Sequence, residues 1–102
     1  MKNIINYIIE ENDIWNDLEH CLEAIEEDPF NLQFVKNQTP EICLAAVEQN
    51  WNAIQYVRNQ TPEICFEAIR RDEYAREYVR LPETEPEREK FIRKLSFLLL
   101  TI

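Results

Sequence analysis

Three cysteines, Cys21, Cys43 and Cys65, stand 22 residues apart each time. Zinc sites need ligand pairs a few residues apart. Helices packed side by side lie about 8–10 Å axis to axis, beyond the Cα separation of about 7 Å that a disulfide tolerates. The thiols are therefore expected to act as small buried hydrophobes, with no metal and no cofactor. His20 is the one histidine and Ser96 the one serine. His20 has Glu19 and Glu23 as carboxylate neighbours but no candidate nucleophile. It takes the repeat position of Ile42 and Ile64, so it is expected to pack at the rim of the core. Carboxylates are plentiful, yet a general acid needs a concave pocket that perturbs its pKa, and short stacked helices build little concavity. Glycine is absent, which excludes phosphate-cradling loops, dinucleotide fingerprints and nucleophile elbows. No enzymatic activity is expected.

The cysteine spacing is the trace of a longer repeat. The block Asn37-Gln38-Thr39-Pro40-Glu41-Ile42-Cys43 recurs unchanged from Asn59 to Cys65, and residues 31–52 share ten identities with residues 53–74. One more step of 22 residues places Cys21, Ala24 and Ile25 under Cys43, Ala46 and Val47. Thr39-Pro40-Glu41 and Thr61-Pro62-Glu63 are helix starts: a hydroxyl cap, a proline in the first turn and an acid at the positive end of the dipole. Asp17 is expected to cap the first copy. A second start follows eleven residues on, at Asp28-Pro29, Asn50-Trp51 and Asp72-Glu73. Each unit thus reads as a first helix (18–27, 40–49, 62–71) and a second (29–37, 51–59, 73–80). Ile42, Cys43, Ala46 and Val47 form one apolar stripe at helical spacing, and Ile54 and Val57 another. Helices this short are marginal alone, so the units must stack, and the small Ala24/Ala46/Ala68 position marks their closest approach.

The fold class that follows is all-α: a short stack of three helix-turn-helix units (17–80) in a single domain. An N-terminal cap (1–16) contains a helix over 3–12. The C-terminal segment (81–102) opens at Thr84-Glu85-Pro86-Glu87, which has the spacing of a capping box. Its apolar run, including Phe91, Leu95 and Leu99, either closes the core of the last unit or supplies a homodimer contact.

The string Asn37 to Val47 resembles the tandem 22-residue repeats of an uncharacterised domain family common in giant DNA viruses and found in some bacteria and mobile elements. The resemblance covers residues 17–80 and is most specific over 31–69. It implies an α-helical repeat protein without an established activity. The family usually has glycine after the Asn/Asp of each unit; Pro29, Trp51 and Glu73 stand there instead.

Charge separates the remaining functions. The chain carries −9 overall, which argues against direct binding to nucleic acid or an anionic membrane. Residues 1–30 hold nine acids against Lys2 alone, whereas residues 67–102 balance eight acids with eight bases. Glu19, Glu23, Glu26 and Glu27 line the outer face of one helix, where like charges cost a few tenths of a kcal/mol per pair. In the third unit, Arg70 and Arg71 relieve the equivalent crowding. Phe30 and Trp51 fall at positions that are not apolar in every copy, so they are expected to be partly exposed and available as partner anchors, with filling of an inter-repeat groove as the other role for Trp51. The leading function is a protein–protein interaction module whose contact residues are Glu19, Glu23, Glu26, Glu27 and Asp28 with Phe30 and Trp51. The alternative is an acidic decoy that blocks a basic nucleic-acid-binding protein, as small phage inhibitors of bacterial immunity nucleases do. No signal peptide or membrane span is read in the chain, and the cytoplasm is the expected compartment.

Overall fold

The computed structural model describes residues 18–101. The helix expected over 3–12, the Asp17 cap and Ile102 lie outside them. Four α-helices alternate with three short 3-10 helices: α1 (Leu18–Glu27), η1 (Pro29–Phe34), α2 (Pro40–Gln49), η2 (Trp51–Tyr56), α3 (Pro62–Arg71), η3 (Glu73–Tyr78) and α4 (Glu87–Leu99). The described residues contain no strand, and the architecture is all-α. No helix among them is long and apolar enough to cross a membrane.

The first helix of each unit begins where its cap dictates. Thr39 Oγ1 accepts the Ile42 N–H at 3.3 Å and Thr61 Oγ1 accepts the Ile64 N–H at 3.2 Å. Each proline occupies the first turn, where a backbone donor has no helical partner. All three α-helices end one residue before an Asx residue in extended conformation: Asp28, Asn50 and Asp72 have φ of −155°, −152° and −157°. No described residue has positive φ. The turn therefore needs no glycine, and Pro29, Trp51 and Glu73 fit its place.

The second helix of each unit differs from the sequence expectation of an eight-residue α-helix. It is a six-residue 3-10 helix, closed by Val35, Val57 or Val79 in extended conformation. The Asx side chain accepts the N–H two residues on, at 2.9–3.0 Å, and its carbonyl accepts the N–H three residues on. Packing supplies the physical reason. At 3.0 residues per turn, positions three apart eclipse each other, so Leu32 with Val35 and Ile54 with Val57 point to the same side. All four are completely buried. At 3.6 residues per turn the two side chains would diverge by about 60°, and one of each pair would leave the core.

The α-helices form one layer and the 3-10 helices the other, each element packed on its counterpart in the next unit. Between them lie Ile25, Ala46, Val47, Ala53, Ile54 and Cys65, none more than 2% exposed. Ala46 and Ala68 are fully buried where neighbouring helices meet, and Ala24 is half-buried. Ala46→Leu is expected to cost about 1–3 kcal/mol by overpacking; an unchanged urea midpoint would count against the close approach.

The last unit is built to end the stack. The core position of Leu32 and Ile54 becomes the exposed Arg76, and the position of Trp51 becomes the exposed Glu73. Polar residues suit a terminal unit whose 3-10 helix, among the described residues, has another 3-10 helix on one side only. Helix α4 packs on α3 through Phe91 and Leu95, both buried, and Lys94 lies 3.8 Å from Glu63 of α3. The capping box expected at Thr84 does not form: α4 starts at Glu87 and has no side-chain cap. Glu85 precedes a proline, which disfavours helical geometry there, so the first turn cannot begin at Thr84. The cis peptide bond Glu85-Pro86 lies in this connection.

Candidate functional site

Helix α1 places Glu19, Glu23, Glu26 and Glu27 on one exposed surface, at spacings of three, four, seven and eight residues. Asp28 ends that surface, also exposed, and its carboxylate is occupied as the cap of η1, accepting the Phe30 N–H at 3.0 Å. The same positions carry the opposite arrangement in the third unit. Glu67, which aligns with Glu23, is held by Arg70 at 2.6 Å and Arg71 at 3.1 Å, the residues that align with Glu26 and Glu27. Glu67 is largely covered, and its hydrogen bond from Arg70 holds its carboxyl below the usual carboxylate range. Glu23, Glu26 and Glu27 form no ion pair among the described residues. One end of the stack thus shows bare carboxylates and the other neutralises itself.

Phe30 and Trp51 are half-buried, and each is seated against a tyrosine of the following unit. The Phe30 and Tyr56 rings meet edge to face at 5.7 Å, and Trp51 lies 6.2 Å from Tyr78. Both therefore fill the seam between consecutive 3-10 helices while keeping part of their surface in solvent. His20 is exposed on the first turn of α1, not packed at the core rim, unlike its buried counterparts Ile42 and Ile64. Ile42 and Ile64 each follow a preceding unit that packs on their helix, whereas His20 lies in the first unit, and no described residue precedes α1.

The cysteines are buried and free of disulfides. Burial pushes the Cys43 thiol up to about 11 and the Cys65 thiol up to about 12, with Arg58 and Arg80 opposing the shift weakly. Protonated and covered, they are poor nucleophiles and poor metal ligands. Among the described residues no group of three or more His, Cys, Asp or Glu side chains converges as a metal site.

Sequence reasoning missed two sets of residues. The first is a pair of glutamine staples. Gln38 donates from Nε2 to the carbonyls of Leu32 and Tyr56, both at 2.9 Å, while its Oε1 accepts the Arg58 N–H at 2.9 Å. Gln60 repeats this one unit on: it donates to Ile54 O at 3.2 Å and Tyr78 O at 2.9 Å and accepts the Arg80 N–H at 2.7 Å. Each staple joins the ends of two successive 3-10 helices. Arg58 and Arg80 add a second tie by donating from Nη2 to the carbonyls of Val35 and Val57. The exact recurrence of Gln38 at Gln60 was the available signal.

The second is the outward row of the 3-10 layer, of which the sequence singled out Phe30 alone. With three residues per turn, the second and fifth positions of each segment face solvent together. These are Phe30 and Gln33, Asn52 and Gln55, Tyr74 and Glu77. Gln33 and Gln55 each fold an Nε2 donor onto a carbonyl three residues back, at 3.1 Å. Tyr74 is 70% exposed and Tyr78 36%.

No curated protein and no solved structure matches the chain. Residues 17–61, which take in α1 through η2 and end at Thr61, the cap of α3, are similar to a family described as a domain of unknown function (DUF4116).

Proposed function

We propose that the chain is a non-enzymatic protein-interaction module whose contact face is the acidic surface of α1, with Phe30 and Trp51 of the 3-10 layer as further contacts. The observation that carries this reading is the reversal of charge between equivalent positions. Glu23, Glu26 and Glu27 stand bare, while Glu67, Arg70 and Arg71 pair among themselves. Unrelieved like charge costs the helix stability, and a basic partner surface would turn that cost into attraction. Buried, protonated thiols and the lack of a converging cluster of ligating side chains among the described residues support a role without chemistry.

A second reading rests on the same carboxylates. Negative charges spaced along a rigid helix compete with phosphates for a basic channel, and the field of a strongly acidic protein speeds capture. In this form the module is a decoy that blocks a nucleic-acid-binding protein.

The test is capture of partners from a lysate by the wild type and by a Glu23/Glu26/Glu27→Lys variant. The wild type is expected to hold a basic protein that it releases as salt rises and the Debye length shrinks from about 30 Å at 0.01 M to about 8 Å at 0.15 M. The variant is expected to capture none of it. Displacement of the same partner by DNA or RNA favours the decoy. Equal capture by both proteins reduces the acidic face to solvation and refutes this reading.

A further inference from the structure

We propose that the outward face of α4 docks on the acidic surface of α1 in a second copy of this chain, with the two helices antiparallel. The inference rests on the reading of that acidic surface as a contact face and names what covers it. Three observations carry it. The first is what α4 leaves in solvent. Phe91 and Leu95 are buried in the core, but Phe97 is 64% and Leu100 83% exposed at the C-terminal end of the helix. Lys90, Arg93 and Phe97, three and then four residues apart, share one exposed face. That face is basic at its start and apolar at its end.

The second observation is charge complementarity within the chain itself. Helices α1 and α2 contain no lysine or arginine, and Arg70 and Arg71 of α3 are held by Glu67. Helix α4 instead holds Arg88, Lys90, Arg93 and Lys94 against Glu87 and Glu89. Lys90 forms no ion pair among the described residues, as Glu23 and Glu26 form none. Arg93 pairs with Glu89 in solvent, and its five guanidinium donors leave room for a second carboxylate. The net charge of −9 makes two chains repel at a distance, but salt screens that repulsion beyond about 8 Å at 0.15 M. Pairs made in contact lie inside that range.

The third is register. Backwards from Glu26, α1 steps by three residues to Glu23 and by four to Glu19; forwards from Lys90, α4 steps by three to Arg93 and by four to Phe97. With Lys90 level with Glu26, antiparallel helices bring Arg93 level with Glu23 about 4.5 Å on and Phe97 level with Glu19 about 10.5 Å on, at about 1.5 Å per residue. Phe97 there meets Leu18, which is exposed, and Leu22, which is half-buried, the apolar neighbours of Glu19. A parallel arrangement sets the cations against Leu18 and the apolar end against Glu26 and Glu27. Antiparallel helices also oppose their dipoles. Since α1 and α4 are different surfaces, the contact is heterologous and adds copies head to tail.

The test is sedimentation velocity on the full chain from about 10 μM to about 1 mM, the range of weak, small interfaces. The mass of the wild type is expected to rise with concentration. Glu23→Lys/Glu26→Lys and, separately, Lys90→Glu/Arg93→Glu are expected to stay monomeric. An equimolar mixture of the two is expected to associate again, because α1 of either then meets α4 of the other with opposite charge. Phe97→Ala should weaken association about tenfold, as loss of an anchor does. The substituted side chains are exposed, and circular dichroism checks that each variant folds. A wild type that stays monomeric overturns the inference, and capture of a basic protein from lysate by that monomer leaves the contact-face reading standing alone. Association that survives either charge reversal, or a mixture that stays monomeric, overturns it as well. Monomers that gather only on vesicles of anionic lipid overturn it too, assigning α4 to a lipid surface.

Discussion

Gln60→Leu is expected to lower stability by about 3 kcal/mol, although the side chain removed is polar and the one introduced suits a core. Gln60 is 8% exposed and makes four contacts: to Ile54 O, Tyr78 O, the Arg80 N–H and the Cys65 thiol. Leucine can make none of them. The buried Ile54 carbonyl loses its bond from Gln60, and the half-covered Tyr78 carbonyl and Arg80 N–H lose theirs; an unsatisfied buried group costs about 1–3 kcal/mol, and half-covered ones less. The gain from extra apolar area does not offset this, because the space is shaped for a planar amide. A domain of this size has about 5–15 kcal/mol in total, and each kcal/mol moves its melting point roughly 4–8 °C. A fall of more than about 10 °C is therefore expected in a thermal melt. Gln38→Leu should cost less, since Gln38 is only half-buried. Two variants with equal, small losses would show that the staples are accessory to packing.

The second large effect lies at alkaline pH. Burial raises Cys43 from an ordinary 9.0 to about 11, and Cys65 to about 12. A thiol whose folded pKa is raised keeps its proton in the native state while the unfolded chain gives its proton up. Above pH 9 the unfolded state therefore binds fewer protons, and stability falls as pH rises. The full contribution is present below pH 9 and is lost progressively until about pH 11 for Cys43 and about pH 12 for Cys65. One pH unit per fully ionised thiol corresponds to about 1.4 kcal/mol; because the unfolded thiols are only half ionised at pH 9, the pair is expected to lose roughly 2 kcal/mol between pH 9 and 10. The informative quantity is the difference between wild type and Cys43→Ala/Cys65→Ala, in which contributions common to both proteins cancel. Urea midpoints at pH 8, 9 and 10 (roughly spanning the ordinary thiol range) should fall steeply for the wild type and more gently for the variant. Parallel slopes would mean that the thiols are solvated more than their burial indicates.

These two predictions meet at one place in the fold. The Cys43 and Cys65 thiols point at Gln38 Oε1 and Gln60 Oε1, at 3.9 and 3.5 Å. The repeated Asn-Gln-Thr-Pro-Glu-Ile-Cys block is thus a single device: threonine starts a helix, cysteine fills the core, and glutamine ties the unit to the next. Pro82 stands where a third staple would be, after the last 3-10 helix and with no further unit to join.

The bounds of α1, α2 and α3 were legible in the sequence, because caps and stripes act within one turn of the residues that make them. Thr39, Pro40 and Ile42 decide where α2 starts with no help from the rest of the chain. The repeat register, the buried cysteines and the all-α class were legible for the same reason. The acidic surface of α1 could also be read directly, since four glutamates at helical spacing share a face wherever the helix lies. Tertiary structure alone decided the rest. The 29–34 and 51–56 segments adopt 3-10 geometry because Leu32 with Val35, and Ile54 with Val57, must enter one core together, a demand set by neighbouring units; 73–78 shares the Asx cap and the geometry with Arg76 exposed. Gln38 and Gln60 find carbonyls 18 residues away and N–H groups 20 residues away, distances across which local preference carries no information. The partial exposure of Phe30 and Trp51 was legible, with Trp51 either an anchor or the filler of an inter-repeat groove; that they lie against Tyr56 and Tyr78 was not, because which rings meet depends on how one unit stacks on the next.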